Sequence, residues 1–97
     1  MFSEFILNMV QKDLKIINRL GLHARPAALI AQTAAGFTCQ VELTKDNVTI
    51  NAKSIMGVMM LAAEFGSCVR VTTNGVDEEQ AAQAIEKLFS DKFNEEF

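Results

Sequence analysis

The chain has 97 residues, 49% of them hydrophobic, and a formal net charge of −3. That length suits one domain with a core of its own and is too short for two, and no apolar run approaches the ~20 residues of a membrane span. An acidic balance, scattered Lys and Arg and the absence of Trp and Tyr argue against nucleic acid as a partner.

Residues 1–9, MFSEFILNM, carry an acid and no positive n-region, a poor match to a secretory signal. They read as an N-terminal extension ahead of a single domain at 10–97, and the protein as cytoplasmic. Asp13 to Asn18 alternates in the manner of a half-buried strand. Residues 24–35 then switch to a helical period, with Ala27, Ile30, Ala31 and Ala34 at i, i+3, i+4 and i+7. Gly36 and Phe37 read as a C-terminal cap with its hydrophobic contact. Thr38 to Lys45 sets Cys39, Val41 and Leu43 on one face of a strand, and Asp46-Asn47 turns the chain into a second strand, Val48 to Asn51.

A short helix over Ile55–Ala63 follows Lys53-Ser54, and a strand over Cys68–Thr73 follows Gly66. After the Asn74-Gly75 turn, Asp77 is placed to cap a last helix, with Gln80 as its capping-box partner. Ala81, Ala82, Ile85, Leu88 and Phe89 form that helix's apolar stripe. The order is β-α-β-β-α-β-α. Since each strand has one apolar side, the helices must cover one sheet face. The fold class is α+β: a two-layer open-faced sandwich with a four-stranded antiparallel sheet and three helices on one face. Cys39 and Cys68 read as small buried or half-buried thiols, unpaired in a reducing compartment. With no CxxC or His-paired spacing they predict no metal site, and nothing in the sequence calls for a cofactor.

The chain's only histidine lies in Gly21-Leu22-His23-Ala24-Arg25-Pro26-Ala27. With Ala24 opening the helix, His23 stands at the N-cap, and the amides of Ala24 and Arg25 have no acceptor within the helix. Pro26 falls in the first turn, where its missing N–H costs nothing. A helix N-terminus favours anions, and Arg25 adds a planar fork suited to phosphate oxygens. An unprotonated imidazole there can attack a phosphoryl group and then hold the charged product. Gly21 allows the loop a tight turn, and Leu22 can anchor it. Taken alone, a histidine beside a helix start is most simply a polar cap, and Arg25 a solvated charge.

The motif around His23 resembles, residue for residue, the phosphorylation site of the HPr family, small carriers of the bacterial phosphoenolpyruvate:sugar phosphotransferase system. The resemblance runs through residues 10–90 and includes Asn51-Ala52-Lys53-Ser54-Ile55-Met56-Gly57-Val58-Met59-Met60-Leu61. It implies that His23 accepts phosphate on Nδ1 from phosphorylated Enzyme I and passes it to IIA domains. Arg25 then steadies the phosphate, and the protein is a stoichiometric carrier rather than an enzyme. It further implies that Ser54, otherwise a plain helix N-cap, is a regulatory site for HPr kinase/phosphorylase.

At 100° per residue Val58, Leu61 and Ala62 point one way on the second helix, and Ile55, Met56, Met59 and Met60 the other. The first set reads as core. The second is a docking patch, where flexible thioethers suit several unlike partners. No membrane insertion is expected, and the chain reads as a monomer. Gln32 and Ala35 stand where many HPr-like proteins carry lysines, which weakens the basic rim of the site. Two other readings stand beside the sugar-system carrier. One is a nitrogen-branch or mainly regulatory relative, the second of which the intact His23 disfavours. The other is a small acylphosphatase-like hydrolase, which would need a Gly-rich phosphate loop carrying an arginine and is disfavoured by Arg25 lying in a helix start.

Overall fold

The computed structural model describes residues 9–97; apart from Met9, the extension expected over 1–9 lies outside them. Four strands form the sheet: β1 (Val10–Lys15), β2 (Gln40–Lys45), β3 (Val48–Asn51) and β4 (Cys68–Asn74). They lie in the order β1-β4-β2-β3, every pair antiparallel. Period-2 alternation turns Leu14, Val41, Leu43, Val69 and Val71 inward, all buried. Gln11, Asp13, Glu42 and Arg70 on the opposite face are exposed. The three helices are α1 (Ala24–Ala35), α2 (Ile55–Met60) and α3 (Glu78–Ser90). Ala27, Ile30 and Ala34 of α1, Val58 of α2 and Ala81, Ile85 and Phe89 of α3 join the strand residues in one core. The alanines let the helix backbones lie close to the sheet, so a small domain closes a dense core. This is the open-faced antiparallel architecture expected from the sequence.

The element boundaries differ from expectation where strand pairing, backbone conformation or a side-chain acceptor redirects the backbone hydrogen bonds. β1 covers 10–15 rather than 13–18 because its partner β4 begins at Cys68, opposite Lys15. Beyond that point Ile16 bonds only to the turn at Gly66 and Ser67. β2 starts at Gln40 rather than Thr38, since the amides of Thr38 and Cys39 donate to the Asp77 carboxylate at 2.8 and 2.9 Å. Asp77 does precede α3, but its side chain makes no cap bond, so the capping box with Gln80 does not form. Gly36 ends α1 in a right-handed conformation, φ −73°, and Phe37 N–H closes the last turn on the Ala34 carbonyl. No left-handed cap is needed there. α2 stops at Met60, short of the expected Ala63, because Ala62 turns left-handed (φ 49°). Ala62 is accordingly exposed rather than in the core, whereas Leu61 is buried. Asp46 and Asn47, at φ 50° and 70°, make the primed hairpin turn that suits strand twist.

The tail after α3 holds what the sequence reading did not anticipate. Lys92, Phe93 and Asn94 form a tight turn with all three φ values between 54° and 61°, a left-handed run that costs roughly 1–2 kcal/mol per residue. The conformation drives Phe93 into the core, fully buried, its ring tilted against Phe89 at 5.0 Å between centroids. Burying a phenylalanine is among the larger single contributions to a small core. With Phe93 fixed, the next residues run back to the start of α1.

Candidate functional site

The loop leading into α1 is built to hold His23 in one place. Asn18, fully buried, donates from Nδ2 to the Gly21 carbonyl at 2.9 Å, and Gly21 N–H returns to the Asn18 carbonyl. Gly21 sits at φ 68°, and a Cβ there would come within 2.5 Å of the Ala63 carbonyl oxygen, so only glycine fits. Leu22 is buried and donates its N–H to that same carbonyl, which is the anchoring role expected of it. His23 then takes the N-cap position of α1 in extended conformation, its carbonyl accepting from Ala27 N–H. Pro26 is buried in the first turn. The His23 side chain makes no cap bond, so the simple reading of a polar helix cap does not describe it.

The ring instead meets the tail. His23 Nε2 lies 2.7 Å from Oε2 of Glu95, and the other oxygen of that carboxylate accepts from Asn18 Nδ2 at 3.0 Å. Arg25, one residue into the helix, donates from Nη1 to the Phe93 carbonyl at 2.7 Å and stands 3.5 Å from Glu95 Oε2. The Glu95 side chain is 9% exposed, that of His23 35% and that of Arg25 51%. Burial pushes the Glu95 carboxyl up, yet hydrogen bonds from Asn18 and His23 and the charges of His23 and Arg25 outweigh it. The balance leaves Glu95 below the usual carboxylate value, ionised at neutral pH and able only to accept. Leu22 and His23 also line an open depression with Leu20, Ala63 and Phe65.

Chemically this is an imidazole beside two free helix amides and a guanidinium, with one ring nitrogen occupied. Sequence reasoning placed His23, Arg25 and the amides of Ala24 and Arg25 together, and the geometry brings them together. It missed Asn18, Phe93 and Glu95. Their only signal is a phenylalanine following a helix stripe and an acid two residues on, too common a pattern to single out.

Ser54 occupies the N-cap of α2, its Oγ accepting from Gly57 N–H at 2.9 Å. Its capping role is thus shown. Past it, Met56 and Met60 are 71% and 73% exposed, and Ile55 and Met59 are exposed as well. Leu20 and Phe65, beside His23, add further exposed apolar surface. Cys39 is buried and Cys68 exposed, and both are free. Burial, helped by Asp77, pushes the Cys39 thiol up to about 11, which keeps it inert. Among the described residues no cluster of His, Cys, Asp and Glu could hold a metal, and no helix is long and apolar enough to cross a membrane.

Comparison with known proteins agrees with this geometry. The family model described as the PTS HPr component phosphorylation site matches residues 10–91. The phosphocarrier protein HPr of Treponema pallidum (strain Nichols) is 51% identical over 88 residues, spanning 91% of this chain and all of that one. The HPr-like protein Crh of Bacillus subtilis (strain 168) is 48% identical over 82% of this chain and 91% of its own. The crystal structure of HPr-C-His from Thermoanaerobacter tengcongensis superposes with a TM-score of 0.87 at 46% identity, covering 91% of this chain and 99% of that one. A motif, a fold and near-complete coverage lead to one assignment: this chain belongs to the HPr family of phosphotransferase-system phosphocarriers.

Proposed function

We propose that the protein accepts a phosphoryl group from phosphorylated Enzyme I on Nδ1 of His23 and passes it to the IIA domains of sugar permeases. The observation that carries this reading is the occupied Nε2. The ring's other nitrogen is the one left to act, beside the helix N-terminus and Arg25. In the forward step the Nδ1–P bond forms as the donor's N–P bond breaks, its electron pair returning to the donor nitrogen. The amides of Ala24 and Arg25 and the Arg25 guanidinium meet the phosphoryl oxygens. Arg25 exchanges its bond to the Phe93 carbonyl for them. Ile55, Met56, Met59 and Met60 form the surface on which Enzyme I and the IIA domains dock. The protein works in the cytoplasm as a monomer and turns over nothing by itself.

Incubation with phosphoenolpyruvate and Enzyme I tests this, followed by phosphoamino-acid analysis. The expected label is acid-labile, alkali-stable and absent from His23→Ala; a label that persists in His23→Ala removes the carrier assignment.

The resemblance of the Ser54 segment to the family's regulatory site favours a second role, control through Ser54 by HPr kinase/phosphorylase. A phosphate on Ser54 would keep the favourable helix-dipole contact while adding about −1.5 to −2 charges at the rim of the docking patch, where it opposes Enzyme I.

A further inference from the structure

We infer that Glu95 is a positioning residue for phosphoryl transfer: by accepting a hydrogen bond from His23 Nε2, it selects the ring tautomer whose Nδ1 carries the lone pair.

The inference rests on the Nδ1 chemistry proposed above. An ionised carboxylate is an acceptor only, so the 2.7 Å contact between Glu95 Oε2 and Nε2 requires the hydrogen to be on Nε2. An uncharged imidazole has one N–H, and Nδ1 is then a bare nucleophile. Among the described residues no hydrogen bond engages Nδ1. Without an acceptor at Nε2 the two tautomers would compete, and the one protonated at Nδ1 cannot attack.

Three features make the contact more than a surface encounter. The Glu95 side chain is nine-tenths covered. Its second oxygen is fixed by Asn18, which is itself buried and held by the Gly21 turn. Its backbone follows the buried Phe93, which fixes where the tail returns. The acceptor is thus built from both ends of the domain, as a second shell orients a reactive imidazole elsewhere. The electron balance of transfer is unchanged by it. The Nδ1 lone pair forms the new bond to phosphorus, the donor's N–P pair leaves with the donor, and the Nε2 proton stays on its hydrogen bond to Glu95. The product is a phosphorylated ring that carries a positive charge, faced by the Glu95 carboxylate and still gripped by the tail.

The test compares Glu95→Ala and Glu95→Gln with the wild type in the full chain. Nitrogen-15 spectra of the His23 ring, taken where the ring is uncharged, report the tautomer, and single-turnover labelling by phosphorylated Enzyme I reports the rate. Thermal melting confirms that each variant is folded. Expected is a predominantly Nε2–H ring in the wild type, a mixed ring in Glu95→Ala with transfer slowed about tenfold or more, and substantial rescue of both in Glu95→Gln, whose amide oxygen still accepts. The KM for Enzyme I should move little. Unchanged tautomer signals in a folded Glu95→Ala overturn the inference, as does an equal slowing in both variants, which would point to charge rather than orientation. The spectra need no partner protein, so a wild type that takes up no label counts against the carrier reading alone, and the tautomer result still stands or falls by itself.

Discussion

Two helix starts in this protein look alike in sequence and behave differently in structure. At α2, Ser54 folds its hydroxyl back onto the Gly57 amide, the ordinary satisfaction of an N-cap. At α1, His23 holds the same position but turns its ring away from the helix to Glu95. The first side chain is occupied by the fold. The second makes no cap bond, and its Nε2 instead meets a carboxylate 72 residues away. An N-cap residue that does not cap, on a loop tightened by Gly21 and Leu22, marks a place where a local contact is given up for a long-range one, and substitution at His23 tests whether reactivity is the reason.

That contrast is sharpest at His23 itself. His23→Ala should remove phosphoryl uptake altogether while changing the stability of α1 little, since the ring makes no cap bond and Glu95 keeps its bond from Asn18. Labelling and thermal melting measured on one preparation check it; a drop in melting temperature as large as that of Ser54→Ala would mean the ring supports the fold.

Arg25→Ala comes next in size. Removing a guanidinium from a transferring phosphoryl group costs on the order of 10²–10³ in rate, and a half-exposed side chain in a first turn is worth within about 0.5 kcal/mol to stability. Single-turnover transfer should therefore fall by about two orders of magnitude with a nearly unmoved denaturation midpoint. Equal losses in both would assign Arg25 to holding the tail through the Phe93 carbonyl.

At the other helix start the effects should cross. Ser54→Asp keeps an acceptor for the Gly57 amide and suits the helix dipole, so it should melt like the wild type yet transfer more slowly from Enzyme I. Ser54→Ala should lose about 1 kcal/mol of stability with the cap and transfer almost normally. Rates and denaturation curves for the pair decide it, and a Ser54→Asp protein as fast as wild type confines Ser54 to capping.

Much of this was legible in the residues because it is local. The strand faces, the α1 stripe of Ala27, Ile30, Ala31 and Ala34, the hairpin turn at Asp46-Asn47 and the cap at Ser54 each follow from a few adjacent side chains, and each is where it was expected. Some failures are local, such as the left-handed Ala62 that ends α2 early, but those that shape the site are long-range. Asp77 has every local mark of an N-cap, but the amides of Thr38 and Cys39 claim its carboxylate across 38 or more positions. Glu95 reaches His23 across 72. Nothing in Lys92-Phe93-Asn94 announces a left-handed turn, because residues such as Lys and Phe rarely enter that region, and here the burial of Phe93 offsets the cost. The family was therefore readable from short motifs such as residues 21–27, and the long-range contacts around His23 were not.

The smallest predicted effect lies in acid and separates the tail from the rest of the fold. Glu95 has its pKa depressed in the folded protein, against burial, by Asn18, His23 and Arg25. A group of that kind stabilises the closed tail fully above its unfolded-state pKa and loses its contribution as the pH falls through the folded value. Closure should thus weaken as the pH drops below the ordinary carboxylate range of about 4. Asp77 is depressed as well, chiefly by the Thr38 amide, so its staple between β2 and α3 weakens over a similar range. The two are separable by site. Exchange of the Asn18 side-chain amide and the Glu95 backbone amide reports the tail, and the Thr38 and Cys39 amides report the staple. In Glu95→Gln the tail signals should lose their acid dependence while the staple signals keep theirs. If both sets respond to acid as they do in the wild type, the carboxylate of Glu95 is not what closes the tail over His23.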